Sequence, residues 1–450
     1  MKGKKPLIGS MAVCAIAFGF LVITSPAYAA STEKVLYSFC AASNCGDGEQ
    51  SWASLIFDSA GNLYGTTAAG GSSQYLCGGI GCGTIFELSP GVDGKWTEKV
   101  VYKFCSAAAC ADGANPYAGL IFDSAGNLYG TTAAGGSSPY LCGGIGCGTI
   151  FELSPGADGK WTEKVLYKFC SAAACADGAN PYAGLIFDSA GNLFGTTYNG
   201  GTSCLGCGTV FELTHRDDGK WTEKVLHRFR LDSKRHDGVS PGYGSLIFDK
   251  AGNLYGTTYY GGRCVEAPGC GTVFQLTRHA KDQWTEKVLY RFQANGTDGH
   301  NPYYGLVFDA AGNSYGSTFE GGRSSSTSKC REGCGTVFQL TPGTKGRWAE
   351  KVLYSFDGMD GTGAIDNLIL DSKGNVYGNT SIGGTYGRGT VFRLSPVAGG
   401  KWKEQLYSFK SGKDGNYPSG GLIFDSAGNL YGTTFAGGDH DGGTVYKFIP

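Results

Sequence analysis

The sequence predicts an all-β fold, a seven-bladed β-propeller of four-stranded antiparallel blades, and three observations lead there. The motif Leu-Ile-Phe-Asp-x-x-Gly-Asn-Leu-Tyr-Gly-Thr-Thr, or a close variant, begins at Leu55, Leu120, Leu185, Leu246, Leu306, Leu368 and Leu422, at intervals of 65, 65, 61, 60, 62 and 54 residues. A period near sixty that carries strands and no sustained 3.6-residue pattern is the signature of a propeller or another β-repeat array. Finally, Ser31 to Phe39 reads as a fourth strand with no first three before it, and Gly443 to Pro450 holds a third strand with no fourth after it. Pairing the N-terminal strand with the last three strands completes a seventh blade and leaves no open sheet edge. A linear β-solenoid is the alternative, but it would carry dedicated caps.

Within the second unit, the first strand is predicted over Gly119 to Phe122, and Asp123 to Asn127 forms a hairpin turn in which Gly126 and Asn127 tolerate positive φ. The second strand is Leu128 to Thr132, the third Thr149 to Leu153 and the fourth Trp161 to Phe169, where apolar and polar residues alternate as a half-buried strand requires. Composition agrees. Gly and Pro make up 91 of 450 residues, yet 13% aromatic and 41% hydrophobic content supplies a core that a disordered chain lacks. Lys plus Arg number 37 against 38 Asp plus Glu, so the net charge is -1 and no global field draws the chain to nucleic acid.

Two segments are expected, a signal peptide over residues 1 to 30 and a single propeller domain over 31 to 450. Lys2, Lys4 and Lys5 precede an apolar stretch from Leu7 to Thr24, which ends at a small-residue cleavage pattern, Ala27-Tyr28-Ala29-Ala30. No membrane span is expected after cleavage, and the localisation is secreted or periplasmic. Beyond Cys14, sixteen cysteines fall into eight close pairs, as an exported disulfide-bonded protein would show. They are Cys40 with Cys45, Cys77 with Cys82, Cys105 with Cys110, Cys142 with Cys147, Cys170 with Cys175, Cys204 with Cys207, Cys264 with Cys270 and Cys330 with Cys334. Zinc is the rival reading, but it needs four ligands in one tetrahedron, and the gaps vary while His is not interleaved.

The recurring residues comprise an Asp-Gly-x-x-Pro-x-x-Gly-Leu run, the Gly-Asn-Leu-Tyr-Gly-Thr-Thr hairpin and a Gly-Gly…Gly-Thr-Val-Phe strand. They resemble the GloVer tandem-repeat family of exported bacterial proteins over approximately residues 33 to 450. That resemblance implies propeller-like repeats and no particular chemistry. The chain departs from the plain pattern in its cysteine loops, in Glu49-Gln50-Ser51-Trp52 of the first unit, and in Gly363-Ala364 of the sixth.

Antiparallel order alone sends the loop between second and third strands, and the loop leading into the next blade, to the same end of the propeller. Every cysteine pair lies in one of those two loop classes, so all eight are expected on one face. Long loops on a rigid scaffold carry binding, and stapling lowers the entropy lost when they engage a ligand. The sixth and seventh second-to-third-strand loops, Gly383 to Gly389 and Gly437 to Gly443, are short and lack Cys, which suggests a rim with an open side. Arg228, Arg230, Lys234, Arg235 and His236 form a local basic run that reads either as a patch for an acidic ligand or as a solvated surface.

An acidic residue recurs before Gly in every unit: Asp47, Asp112, Asp177, Asp237, Asp298, Asp360 and Asp414. Seven carboxylates at a channel mouth could hold a hard cation. The alternative is that each bonds nearby backbone N–H groups in its own turn. Trp96, Trp161, Trp221, Trp284, Trp348 and Trp402 recur at one strand end and are expected to pack between strands. No catalytic motif is present, and the uncommon charged residues on the loop face are Glu266, His300, Glu320, Arg331, Glu332, Asp439 and His440. The expected function is a non-catalytic binding module for an extracellular glycan or protein, with no cofactor. A propeller hydrolase or lactonase with its site at the channel mouth, and a surface structural repeat protein, are the alternatives.

Overall fold

Each repeat folds into one antiparallel sheet in which chain order is sheet order, because every connection is a hairpin or a short loop. The computed structural model describes residues 32–450 except 72–76, 137–141, 143, 202–205, 232–236, 265–268, 324–329, 331, 365–366 and 411. The signal-peptide reading, residues 1 to 30, lies outside the described residues. In the second blade the strands are Ile121–Phe122, Leu128–Thr132, Thr149–Pro155 and Trp161–Lys168. Seven such blades make the propeller. The seventh is completed by the chain's other end: Thr32–Ser38 pairs antiparallel with Thr444–Ile449, from Thr32 opposite Ile449 to Ser38 opposite Thr444.

The first strands are shorter than the sequence suggested. Asn115, Asn180, Ser240 and Asn301 all have positive φ, near 55°, and each precedes a proline, so the chain swings out of the ladder before rejoining it. The freed backbone groups bond across the blade junctions instead. Asn115 N donates to Cys82 O, Asn180 N to Cys147 O, Asn301 N to Cys270 O, Gly363 N to Cys334 O and Gln50 N to Gly442 O. Deeper along the axis, the Thr66, Thr131 and Thr433 hydroxyls donate to the Ala118, Ala183 and Ala53 carbonyls of the next blade.

The core is divided. Seven apolar clusters form, each straddling one blade junction. In each, a fully buried Phe at the end of a fourth strand packs edge-on against an aromatic ring of the next blade's third strand, as Phe39 does on Phe86 at 4.9 Å and Phe104 on Phe151 at 5.1 Å. The Gly in every Leu-Tyr-Gly-Thr-Thr strand makes room for that ring. A Cβ at Gly130 would sit 2.6 Å from Phe151 Cζ. The recurring Trp residues also bridge blades: Trp161 meets Tyr64 at 6.1 Å and Trp221 meets Tyr129 at 6.4 Å.

Candidate functional site

Seven of the eight expected cysteine pairs are disulfides: Cys40–Cys45, Cys77–Cys82, Cys105–Cys110, Cys142–Cys147, Cys170–Cys175, Cys264–Cys270 and Cys330–Cys334. Cys204 lies outside the described residues, as do Lys234, Arg235, His236, Glu266 and Arg331. The two loop classes do meet at one end. Sulfurs of Cys77, Cys82, Cys105 and Cys110 lie within 4.8 Å of one another, and so do those of Cys142, Cys147, Cys170 and Cys175. Spacing along the chain concealed these tetrads, because each combines a second-to-third-strand loop with the loop that enters the next blade.

The first strands line the axis, where an axial cavity of about 130 Å³ is bounded by Trp52, Leu55, Tyr117, Leu120, Leu185 and Tyr243, with Ser54, Ser245 and Asn367 as polar contributors. At the cysteine end this wall continues into an arc of aromatic rings that the sequence reading missed. Trp52 lies 4.8 Å from Phe435 and 6.5 Å from Tyr117, ring centre to ring centre. Tyr117 meets Tyr182 at 5.6 Å, Tyr182 stacks on Tyr243 at 4.7 Å, and Tyr243 stacks on Tyr303 at 4.5 Å with the rings 8° from parallel. Tyr259 meets Tyr303 at 5.3 Å, and Phe319 closes the run 6.0 Å from Tyr303.

Backbone geometry positions these rings. Tyr117, Tyr182 and Tyr303 each stand two residues after the left-handed Asn whose N–H bonds the cysteine loop of the preceding blade, so arc and stapled loops are held by the same junction. Side chains reinforce it: Asn115, Asn180 and Asn301 donate through Nδ2 to the Ala68, Ala133 and Tyr259 carbonyls. The arc rings are half-buried. Burial, followed by the neighbouring phenols, pushes Tyr182, Tyr243 and Tyr303 above the ordinary tyrosine value, and burial does the same to Tyr117. All four are neutral hydroxyls at physiological pH. The signal was present in the repeats, since the residue three before the first-strand Leu is aromatic in units one to five and is Ile365 and Ser419 in the last two; at Gly363, in the Asn position of the sixth unit, a Cβ would strike Phe319.

The seven recurring Asp residues sit between the outermost strands of adjacent blades. Asp47 accepts from the Tyr37 hydroxyl at 2.8 Å and from the Ala41 and Ala42 amides. Asp112, Asp177 and Asp298 accept from Tyr102, Tyr167 and Tyr290 at 2.9, 2.8 and 2.8 Å. Asp360 and Asp414 accept from Tyr354 and Tyr407, and Asp237 lies 3.3 Å from His227 Nε2. No two of these seven share a metal-competent group among the described residues. Each instead faces a Glu from the next fourth strand. Burial and then the facing Asp push Glu98, Glu163, Glu223 and Glu350 up to about 7. Glu33, from the closing strand, rises to about 7 through burial and then Asp414.

Of the remaining charged residues, Arg228 donates to the Ala176 carbonyl at 3.1 Å, and Asp439 pairs with Lys413 at 3.2 Å on the surface. His300, Glu320 and Glu332 come together, each offering one donor atom within 4.8 Å of the others.

The pattern described as the Gloeobacter/Verrucomicrobia repeat matches residues 18–172, 142–328 and 323–450, and the chain belongs to that repeat family. No curated protein matches the sequence significantly. Among solved structures, the chain is similar to a protein from Lactobacillus plantarum at 14% identity, over 81% of this chain and 95% of that one, with a TM-score of 0.48. It is also similar to a luciferin-regenerating enzyme at 12% identity, over 74% of this chain and 90% of that one, with a TM-score of 0.38.

Proposed function

We propose that this member of the repeat family is an exported, non-catalytic binding module that takes an extracellular glycan across its disulfide-rich face. The aromatic arc carries the reading. Five consecutive blades bring a ring to one mouth, and the sixth and seventh units have Ile365 and Ser419 at that position. Polyhydroxylated ligands suit such a surface, because sugar C–H faces pack on ring faces and edges while neutral phenols and Asn side chains exchange hydrogen bonds with hydroxyls. Tyr and Trp offer contact area with few torsions to freeze, and the junction hydrogen bonds hold them before a ligand arrives. The arc spans several sugar units, so an extended chain fits it better than a monosaccharide.

The test is a panel of oligosaccharides and cell-envelope polymers presented to the full chain, with binding and turnover both measured. Saturable association without product, weakened tenfold or more by Tyr243→Ala, supports the proposal. Release of product would favour the hydrolase alternative. Self-association with no soluble ligand would favour a structural role.

A further inference from the structure

We infer that His300, Glu320 and Glu332 form a binding site for a divalent first-row transition-metal ion, Zn²⁺ or Mn²⁺, on the fifth blade. The repeat itself isolates the site. In the second blade, the three structurally equivalent positions are Ala114, bridged to Ala134, and Ile145, whose carbonyl accepts from the Gly135 amide. In the fifth blade, His300 pairs across the sheet with Glu320, and the Glu332 carbonyl accepts from the Gly321 amide. Three apolar side chains that touch one another have thus been replaced together by one imidazole and two carboxylates. A turn or packing device would recur from blade to blade, as the Asp and Trp positions do. This cluster does not.

The donors are already close. His300 Nδ1 lies 3.6 Å from Glu320 Oε2, and all three groups offer an atom within 4.8 Å of the others. Ligand atoms on a tetrahedral zinc ion stand roughly 3.3 Å apart, so rotation of the exposed Glu332 side chain closes the remaining gap. One nitrogen and two oxygen donors suit zinc or manganese better than calcium, which prefers an all-oxygen shell. The surroundings support a cation. His300 is 5% exposed, and Asn301 Oδ1 stands 2.6 Å from its Nδ1 while Asn301 Nδ2 is committed to the Tyr259 carbonyl, so a cation at Nδ1 replaces the proton shared there and has the amide oxygen beside it. The Cys330–Cys334 disulfide anchors the loop that brings Glu332 in. Asn301, next in the chain to His300, bonds the Tyr259 carbonyl, so the site lies beside the aromatic arc.

The experiment uses the oxidised full chain with any free thiol alkylated first, so that cysteine cannot take the metal. Isothermal titration with Zn²⁺ and Mn²⁺, and native mass spectrometry, are expected to give one ion per chain. His300→Ala and Glu332→Gln are each expected to weaken binding at least tenfold. Glu332 is exposed, so its variant folds whatever becomes of the buried His300→Ala. No stoichiometric ion, or an affinity that Glu332→Gln and His300→Ala leave unchanged, overturns the inference. Neither readout involves a glycan, so failure here and failure of the binding-module reading are separate results.

Discussion

Raising the pH from 5 to 8 should destabilise this propeller, and the blade junctions set the size of the effect. Six junction carboxyls, those of Glu33, Glu98, Glu163, Glu223, Glu350 and Glu404, are pushed from an ordinary 4.5 up to about 7, first by burial and then by neighbours that include a facing Asp. A carboxyl whose folded value is raised holds its proton in the native state after the unfolded chain has released it. Its stabilisation is therefore complete below about 4.5 and is lost as pH rises through 7. A raise from 4.5 to about 7 would correspond to about 3 kcal/mol per group, but these side chains are only half-buried and solvent screens them, which reduces the figure to about 1 kcal/mol. Six groups then give about 6 kcal/mol. With an unfolding entropy of about 2 cal/mol/K per residue over roughly 420 residues, the melting temperature should fall by about 7 °C between pH 5 and 8. The turn carboxylates oppose this only in acid: burial tends to raise Asp123 and Asp425, but hydrogen bonds from Asn127 and Asn429 outweigh it and lower both, so their contribution is lost below the usual Asp range. Calorimetry across pH 4 to 8 measures the curve. The triple variant Glu98→Gln, Glu163→Gln, Glu223→Gln should flatten the slope by about half and raise stability at pH 8. A melting temperature that is flat or rises from pH 5 to 8, or a slope that the triple variant leaves intact, would refute the reasoning.

Other consequences follow from the same packing. Gly130→Ala places a Cβ 2.6 Å from Phe151 Cζ and 2.9 Å from Leu120 Cδ2, and should cost about 1–3 kcal/mol by urea unfolding although its backbone φ suits alanine. Phe39 is fully buried at the junction between the closing strand and the first blade, so Phe39→Ala should lose about 3–5 kcal/mol, read from the same transition. Tyr243 stacks on both Tyr182 and Tyr303, and Tyr243→Ala should weaken glycan association tenfold or more in a titration, about 1–3 kcal/mol, with the far-ultraviolet circular dichroism spectrum unchanged.

What was legible in the sequence was whatever repeats locally. The Leu-Tyr-Gly-Thr-Thr hairpin, the fourth strand that ends in Phe and the solitary strand at each chain end are short-range patterns, and the observed strands follow them to within two residues. Contacts between blades were illegible, because partners such as Tyr37, Asp47 and Glu98 are drawn together only when the ring closes. For that reason a seven-fold Asp suggested a channel ring from its spacing, while its surroundings are the outer strands. The aromatic arc was hidden differently. Each Tyr after Asn-Pro, like Tyr243 after Ser-Pro-Gly, looks like one more repeated element of the unit's turn, and only the stacking of Tyr182, Tyr243 and Tyr303 across three blades reveals a continuous surface.

Repetition therefore separates two kinds of position in this molecule. Where the blades agree, the side chain meets the neighbouring blade: Phe on an aromatic ring, Trp on Tyr or Phe, Asp on Tyr or His and facing Glu. Such positions build a ring whose stability is distributed over equivalent junctions, and a change at one of them should alter stability. Where one blade breaks the agreement, the difference cannot be needed for closure, because the other junctions close without it. Gly363 at the end of the arc and the His300, Glu320 and Glu332 cluster occupy positions whose residues differ from blade to blade, and both lie at the stapled mouth. Changes at such positions should therefore leave the melting temperature nearly unchanged, and it is there that the proposed ligand and metal binding are to be tested.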